Sequence, residues 1–387
     1  MIRYRELKRR YELDGAARTV DHLSEALRTR QLRAEDFSLR DLAETLVPDG
    51  AEWVRLLDPR ASGGVNLLEA GDGVDATAFL NVAGQVIYSK ILEAYSQEAF
   101  VVSKLVDTIP TRLDGEKLPG VTPPADGVAE VLPGMPYPHV GLGDDYIETP
   151  STMKHGLIVP VTREAIFFDR TNLVLSRAAE VGELLGLNKE KRLLDVVVGA
   201  TNNYKWRGTS YNTYLESGSW TNVRHDNELV DWRNVDAAEQ LFADMLDPNT
   251  GEPVLISART ALVMPAYRQA AMRIFQATEV DQVTDDVTTR IANPLAGYRA
   301  YESRLAYRRI IAAGTAADDA KAWWFLGDFK RAFAYMENWP ITVTQSALGS
   351  EADFNNDVVV RFKASERGAA AVLNPRYVVK CTAQAEE

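Results

Sequence analysis

Few residues of this 387-residue chain are spaced to do chemistry. His22, His139, His155 and His225 are its only histidines, and none has another at metal-ligand spacing. Asp144-Asp145 and Asp285-Asp286 are adjacent pairs, which point to opposite sides of any strand and read as solvated acids. The two carboxylates of a glycosidase meet in space rather than along the chain, so a carbohydrate-active enzyme stays open as an alternative. Trp206, Trp220, Trp232, Trp323, Trp324 and Trp339 could line a sugar cleft, although such rings more often anchor a core or an interface. The sequence contains no GxxxxGK[ST], no GxGxxG after a strand, no HExxH, no GxSxG and no CxxC. The expectation is therefore a protein that is not an enzyme, with no catalytic, cofactor-binding or metal residues and no cofactor. Cys381 is the only cysteine, so no disulfide can form within the chain. That suits a reducing compartment, and the thiol reads as a small apolar residue ending a strand.

Composition narrows the class further. A net charge of −12 argues against a general nucleic-acid-binding surface. Its distribution is uneven: Arg3, Arg5, Lys8, Arg9 and Arg10 stand against Glu6 alone in the first ten residues. This basic tip is either a solvated helix start or a contact for nucleic-acid phosphates or an acidic neighbour. The charged start precedes no apolar signal region, and no apolar run approaches the roughly 20 residues that span a bilayer. No membrane partner is expected.

The elements follow in order. Residues 1–60 read as polar helices, with a capping box at Ser38 and Asp41 before Leu42, Ala43 and Leu46. Their apolar stripes are narrow, so this region should pack on a partner or on the main body. Asp58–Gly64 reads as a linker, and Val82, Val86, Ile87, Ile91 and Tyr95 as one side of a helix. The stretch "AFVVSKLVDTIPTR" reads as a strand. Residues 115–161 are dense in Pro and Gly, which suits a projecting two-stranded arm better than a compact core. The strongest helix runs from Asn172 to Gly199, about 40 Å long. Gly182 and Gly186 each cost it roughly 1 kcal/mol of propensity, and close approach of a sheet would explain them. Lys189 interrupts its apolar stripe. A mixed α/β region follows, with "PVLISARTALVM" as a buried strand. Then "FKRAFAYM" and "ITVTQ" read as strands around a turn at "ENWP". "FNNDVVVRFKA" alternates as a strand, "ERGAAA" turns the chain, and Asn374-Pro375 turns it again.

The C-terminal block carries a family resemblance. Its "WFLGDFKRAF", "FNNDVVVRFKASERG" and "NPRYVV" resemble the closing segments of tailed-bacteriophage major capsid proteins of the HK97-like fold. Earlier segments match in the required order, from about Ala78 onward. The resemblance implies an α+β fold with a long spine helix, an extended E-loop hairpin, peripheral and axial domains, and a helical N-terminal arm. The implied boundaries are 1–75 for the arm, 76–114 for the start of the peripheral domain and 115–161 for the E-loop. They continue with 162–204 for the spine helix, 205–325 for the axial domain and 326–387 for the return strands. It also implies pentamers and hexamers in an icosahedral shell around double-stranded DNA, with portal, scaffolding or cement proteins as partners. The setting would be the virion, assembled in the host cytoplasm. Tyr137, Val140, Leu142, Tyr146, Ile147 and Arg367 are then interface candidates, and the apolar residues of the hairpin should be buried only against another subunit. The basic tip is a candidate DNA-facing element. Residues 1–60 are expected to stay in the mature particle, although phages of this fold often cleave a segment there. An encapsulin-like shell is the nearest alternative. One capsid lineage crosslinks an asparagine in this strand to an E-loop lysine; Asp357 stands there instead, so no crosslink is expected.

Overall fold

The computed structural model describes residues 4–47, 49–57, 73–119, 131, 135, 146–247, 251, 253–284, 287–346 and 357–383. The chain forms two units, each assembled from three separate stretches. The first takes Met1–Phe100, Lys154–Asn188 and Trp339–Arg367; the second takes Val101–Met153, Lys189–Asn338 and Gly368–Glu387. The helix Thr171–Val197 and the strands Phe333–Gln345 and Val358–Val372 contribute residues to both.

The first unit is mostly helical. The helix Tyr4–Arg28 breaks at Gly15, whose φ of 79° and ψ of 168° are accessible essentially to glycine alone. Leu39–Leu46 starts at the expected cap, with the Asp41 N–H donating to Ser38 Oγ at 3.0 Å. Leu42, Leu46, Trp53, Val54 and Leu57 are buried with Phe79, Val82, Val86 and Ile87 of the helix Gly73–Tyr95. Of the two places expected for the N-terminal helices, they take the main body. The linker expected at Asp58–Gly64 lies outside the described residues.

The glycines of the long helix are explained by a different neighbour from the one expected. A Cβ at Gly182 would sit 2.2 Å from the carbonyl oxygen of Ile91, and one at Gly186 would sit 2.7 Å from that of Tyr95. A helix, not a sheet, approaches there. Val174, Leu175, Ala178 and Leu185 complete the buried face.

Two expected turns are strand. Phe333–Gln345 runs straight through "ENWP". Its pairing with Asp107–Pro110 ends at Glu337, and Pro340 lies beyond that ladder and is exposed. "ERGAAA" lies inside the strand Val358–Val372. Gly368 serves close packing there: a Cβ would meet the Tyr335 ring at 2.5 Å and the Met336 carbonyl at 2.6 Å. The turn at Asn374-Pro375 is present, as a short 3-10 helix over Pro375–Tyr377.

The second unit is built on a five-stranded sheet in the order Arg299–Glu302, Thr260–Val263, Trp324–Gly327, Val378–Cys381, Val223–Arg224. Its central strands are buried throughout. Trp324 and Leu326 face Val235, Phe242 and Phe275, while Phe325 joins Ala306 and Ile310 on the other side. The strand expected over "PVLISARTALVM" is limited to Thr260–Val263. "VSKL" is a helical turn, Val102–Leu105, rather than strand. The buried Glu190 carboxylate holds that turn, accepting from the Val102 and Ser103 N–H groups at 2.7 and 2.8 Å and from the Ser103 hydroxyl at 2.8 Å. Lys189, the exception in the apolar stripe, lies 4.1 Å from the Tyr335 ring centroid and 3.9 Å from the Glu337 carboxylate.

Propensity and packing make opposite predictions for Gly182→Ala. Alanine should favour the helix by about 1 kcal/mol. The approach of the Ile91 carbonyl leaves it no room, and overpacking costs roughly 1–3 kcal/mol and often more against backbone. The expected outcome is a lower midpoint in urea unfolding of the subunit. An unchanged or raised midpoint would show that the two helices separate at little cost.

Candidate functional site

The Pro/Gly-rich range 115–161 is not all projecting arm: Met153–Thr162 is a regular strand beside Val358–Val372, and the residues flanking 120–145 are paired with each other as a clamp in the second unit. Lys117–Pro119 pairs antiparallel with Tyr146–Glu148, matching Lys117 with Glu148, Leu118 with Ile147 and Pro119 with Tyr146. The ladder continues to Tyr204–Trp206 and Thr209–Tyr211. Arg207 and Gly208 join the last two strands, and both have positive φ, 50° and 78°. Two such residues make the connection whose twist matches paired strands.

A polar cluster fixes where the segment leaves and returns. The Thr149 N–H donates to the Glu116 carbonyl at 2.9 Å, and the Glu116 N–H donates to Thr149 Oγ1 at 2.8 Å. Thr111 Oγ1 donates to the Glu116 carboxylate at 2.6 Å. Asp114 accepts from the N–H and the hydroxyl of Thr152 at 2.8 and 3.0 Å. The Asn338 amide donates to the Thr111 and Leu113 carbonyls, each at 3.1 Å. On the outer face, Lys117 Nζ stands 4.3 Å from the Tyr146 ring centroid and 3.7 Å from Glu148. These groups hold backbone, so the cluster's chemistry is that of an anchor.

The expected site residues are distributed unevenly around this anchor. Tyr137, Val140 and Leu142 lie outside the described residues. Tyr146 is half-buried, beneath Lys117. Ile147 is 2% exposed and packs with Leu193, Val197 and Tyr204 of its own chain. Its side chain is therefore taken up by its own subunit and not left for a neighbour. Val159 and Val161 are likewise buried in their own chain. Apolar residues of 115–161 are thus not buried only between subunits. Arg367 is not at a strand end: it is half-buried within Val358–Val372, 5.6 Å from the Trp339 ring centroid.

Of the basic tip, Arg3 lies outside the described residues. Arg5, Lys8, Arg9 and Arg10 sit on the helix Tyr4–Arg28, ahead of its break at Gly15. Arg5, Arg9 and Arg10 are exposed, and Arg10 reaches Glu6 at 3.3 Å.

Sequence reasoning missed Glu190 and Asn222. Glu190 had a signal, because it falls on the apolar stripe of its helix between Gly186 and Leu193. Asn222 had none: it is fully buried, accepts from the Leu215 N–H at 2.8 Å and donates to carbonyls of Thr213, Pro375 and Val378. Trp220, Trp323 and Trp324 are buried, while Trp232 is 47% exposed. Burial pushes the Cys381 thiol up to about 12, partly offset by the Asn227 amide donating to its sulfur at 3.4 Å. Burial also raises Tyr214, whose hydroxyl donates to the Val197 carbonyl at 2.5 Å. Glu239 is raised by burial first and Asp236 second, against the opposing pull of Arg259. Among the described residues, no group of His, Cys, Asp and Glu could hold a metal ion, and no helix is long and apolar enough to cross a membrane.

A family model described as phage capsid protein matches residues 147–381, from the return strand of the clamp to the end of the central sheet. The chain belongs to the phage capsid protein family. Solved structures similar to this capsid protein include the capsid of a native GTA particle, 12% identical, with 75% of this chain and 91% of that one covered and a TM-score of 0.43. A structure from Mycobacterium phage Ogopogo is 15% identical over 73% and 91%, with a TM-score of 0.41. The holo-SrpI encapsulin complex from Synechococcus elongatus PCC 7942 is 12% identical over 74% and 88%, with a TM-score of 0.42. No curated protein matches the chain. The family match makes this a structural, shell-forming protein of the virion.

The burial of Ile147 separates folding from assembly in this capsid protein. Ile147→Ala should destabilise the isolated subunit by about 2–5 kcal/mol, the usual cost of truncating a core isoleucine. Thermal unfolding of the unassembled subunit measures it. A subunit of unchanged stability would return Ile147 to the candidate interface.

Proposed function

We propose that this is a major capsid protein whose copies form pentameric and hexameric capsomers of an icosahedral shell around double-stranded DNA. The segment between the clamped strands is the E-loop, laid over a neighbouring subunit. The helix Thr171–Val197 is the spine, the five-stranded unit corresponds to the axial domain, and the N-terminal helices are a layer of the peripheral domain. Portal, scaffolding and cement proteins would be partners of the shell. The main support is the clamp itself: Asp114, Glu116, Thr149, Thr152 and Asn338 fix the points where a long segment leaves and returns. Closed symmetry repeats each contact many times, so modest interfaces suffice. At about 25 cal/mol per Å², 400 Å² of apolar burial would contribute roughly 10 kcal/mol before ordering costs.

The ladder suggests a clean test. Pro119 and Tyr146 are register partners, so residues 120–145 can be replaced by Asn-Gly as a tight hairpin. Electron microscopy of the unaltered chain should show uniform shells or capsomers. The shortened chain should fold with the same melting temperature and make none. Shells from the shortened chain would overturn the E-loop assignment, and a small monomer from the unaltered chain would overturn the capsid reading.

The basic tip faces packaged DNA in this reading. Arg5 and Arg9 are four residues apart on one helix face, where like charges repel unless neutralised. DNA carries about one charge per 1.7 Å of axis, so contact would release counterions and weaken with salt. Changing Arg3, Arg5, Lys8, Arg9 and Arg10 to Ser should leave empty shells intact and lower DNA retention, measured by nuclease release across a salt series. Failure to form shells without DNA would make the tip an assembly element instead.

A further inference from the structure

The outer face of the Thr171–Val197 helix has a pattern that its fold does not explain. Its inner face is buried through Val174, Leu175, Ala178, Gly182 and Leu185. Opposite lie Leu173, 49% exposed, and Leu184, 54% exposed, with Arg177 and Glu180 between them. At about 100° per residue these four fall within an arc of roughly 60°, one stripe along the helix. Arg177 Nη1 lies 2.8 Å from Glu180 Oε2. A single exposed leucine is ordinary. The arrangement of the four is less so. Leu173 and Leu184 lie equally far from the midpoint between Arg177 and Glu180, on opposite sides of it. The stripe is therefore complementary to itself when turned end for end. A two-fold axis through that midpoint sets Leu173 of one copy against Leu184 of the other, and Arg177 against Glu180, twice over.

We propose that this stripe is a two-fold contact with the same stripe of a second copy, the two helices running antiparallel. An interface of this kind uses one patch on both partners, so each contact occurs twice. A crossing angle near 20° would keep both leucine pairs in register. Exposed as it is, the ion pair within one chain contributes little. Across the dyad the same four charged groups alternate in sign and gain from exclusion of water by the flanking leucines. A helical segment of different sequence would have no reason to match this symmetry, which is why the occupant is a second copy. The inference rests on the shell reading above, since closed shells supply two-fold positions between copies.

Crosslinking tests it in the full chain. Ser176 is exposed beside the stripe and takes no part in its pairing. The midpoint places position 176 of the two copies about 7.5 Å apart along the axis, from a rise of 1.5 Å per residue. Ser176→Cys in assembled particles should give covalent dimers with a short bis-maleimide, and the buried Cys381 should not react. Charge reversal supplies a second readout. Arg177→Glu and Glu180→Arg should each cut shell yield at least tenfold while leaving the subunit Tm unchanged. Coexpressing the two chains should restore shells, because each supplies the charges the other lacks; an ion pair that matters only within one chain would not be rescued by mixing. Shells that stay monomeric after crosslinking, or single reversals that assemble normally, would overturn the contact and leave the capsid reading intact. No shells from the unaltered chain would overturn the capsid reading itself.

Discussion

The first unit depends on one backbone-to-backbone approach. The helix Thr171–Val197 comes so near the helix Gly73–Tyr95 that position 182 has no room for a methyl group. That approach commits one face of the long helix, and its neighbours follow. Ala178 and Leu185 fill the space on either side, and the Gly73–Tyr95 helix turns its other apolar residues toward Leu42, Leu46, Trp53 and Leu57. Further along the same helix, Glu190 holds a helical turn by its N–H groups, and Asp195 receives Arg309 through two bonds of 2.6 and 2.7 Å. One helix is thus fixed by contact where it has no side chains and by charge where it has acids.

Local pattern made the helices legible in the sequence. The long helix is displaced by one residue at its start and two at its end from the expectation, because its 3.6-residue stripe is long. The Pro and Gly content of 115–161 did not reveal that its end, Met153–Thr162, is a regular strand beside Val358–Val372. What failed was punctuation within strands. Gly368 and Pro340 were read by their usual turn habits. Tertiary packing overrode the first, since Tyr335 needs the space above Gly368. Likewise "VSKL" lies within the apolar stretch "AFVVSKLVDTIP" that reads as a strand, yet a carboxylate distant in sequence holds it as a helical turn. No local window contains that carboxylate.

The anchor divides its work by residue type. Short polar side chains on backbone, such as Thr149 and Asp114, give direction without needing a core around them. Ile147 ties its strand into the apolar interior, so the clamp is part of the subunit's fold. This is why an interface list drawn from sequence alone had to lose one member. Alternation along a strand predicts that a side chain faces inward without saying whose interior it enters.

Both units are assembled from stretches far apart in the chain, and this bears on synthesis. The ribosome delivers residues from the N-terminus, but the strand Val378–Cys381 lies inside the central sheet, between Trp324–Gly327 and Val223–Arg224. The first unit likewise needs Trp339–Arg367 before its sheet is complete. A nascent chain therefore cannot complete the first unit before residue 367 has emerged, or the central sheet before residue 381. Prematurely terminated products lack a middle strand rather than a dispensable tail. For a shell-forming protein, a chain cut short of that strand would bring to its neighbours a unit without its central sheet.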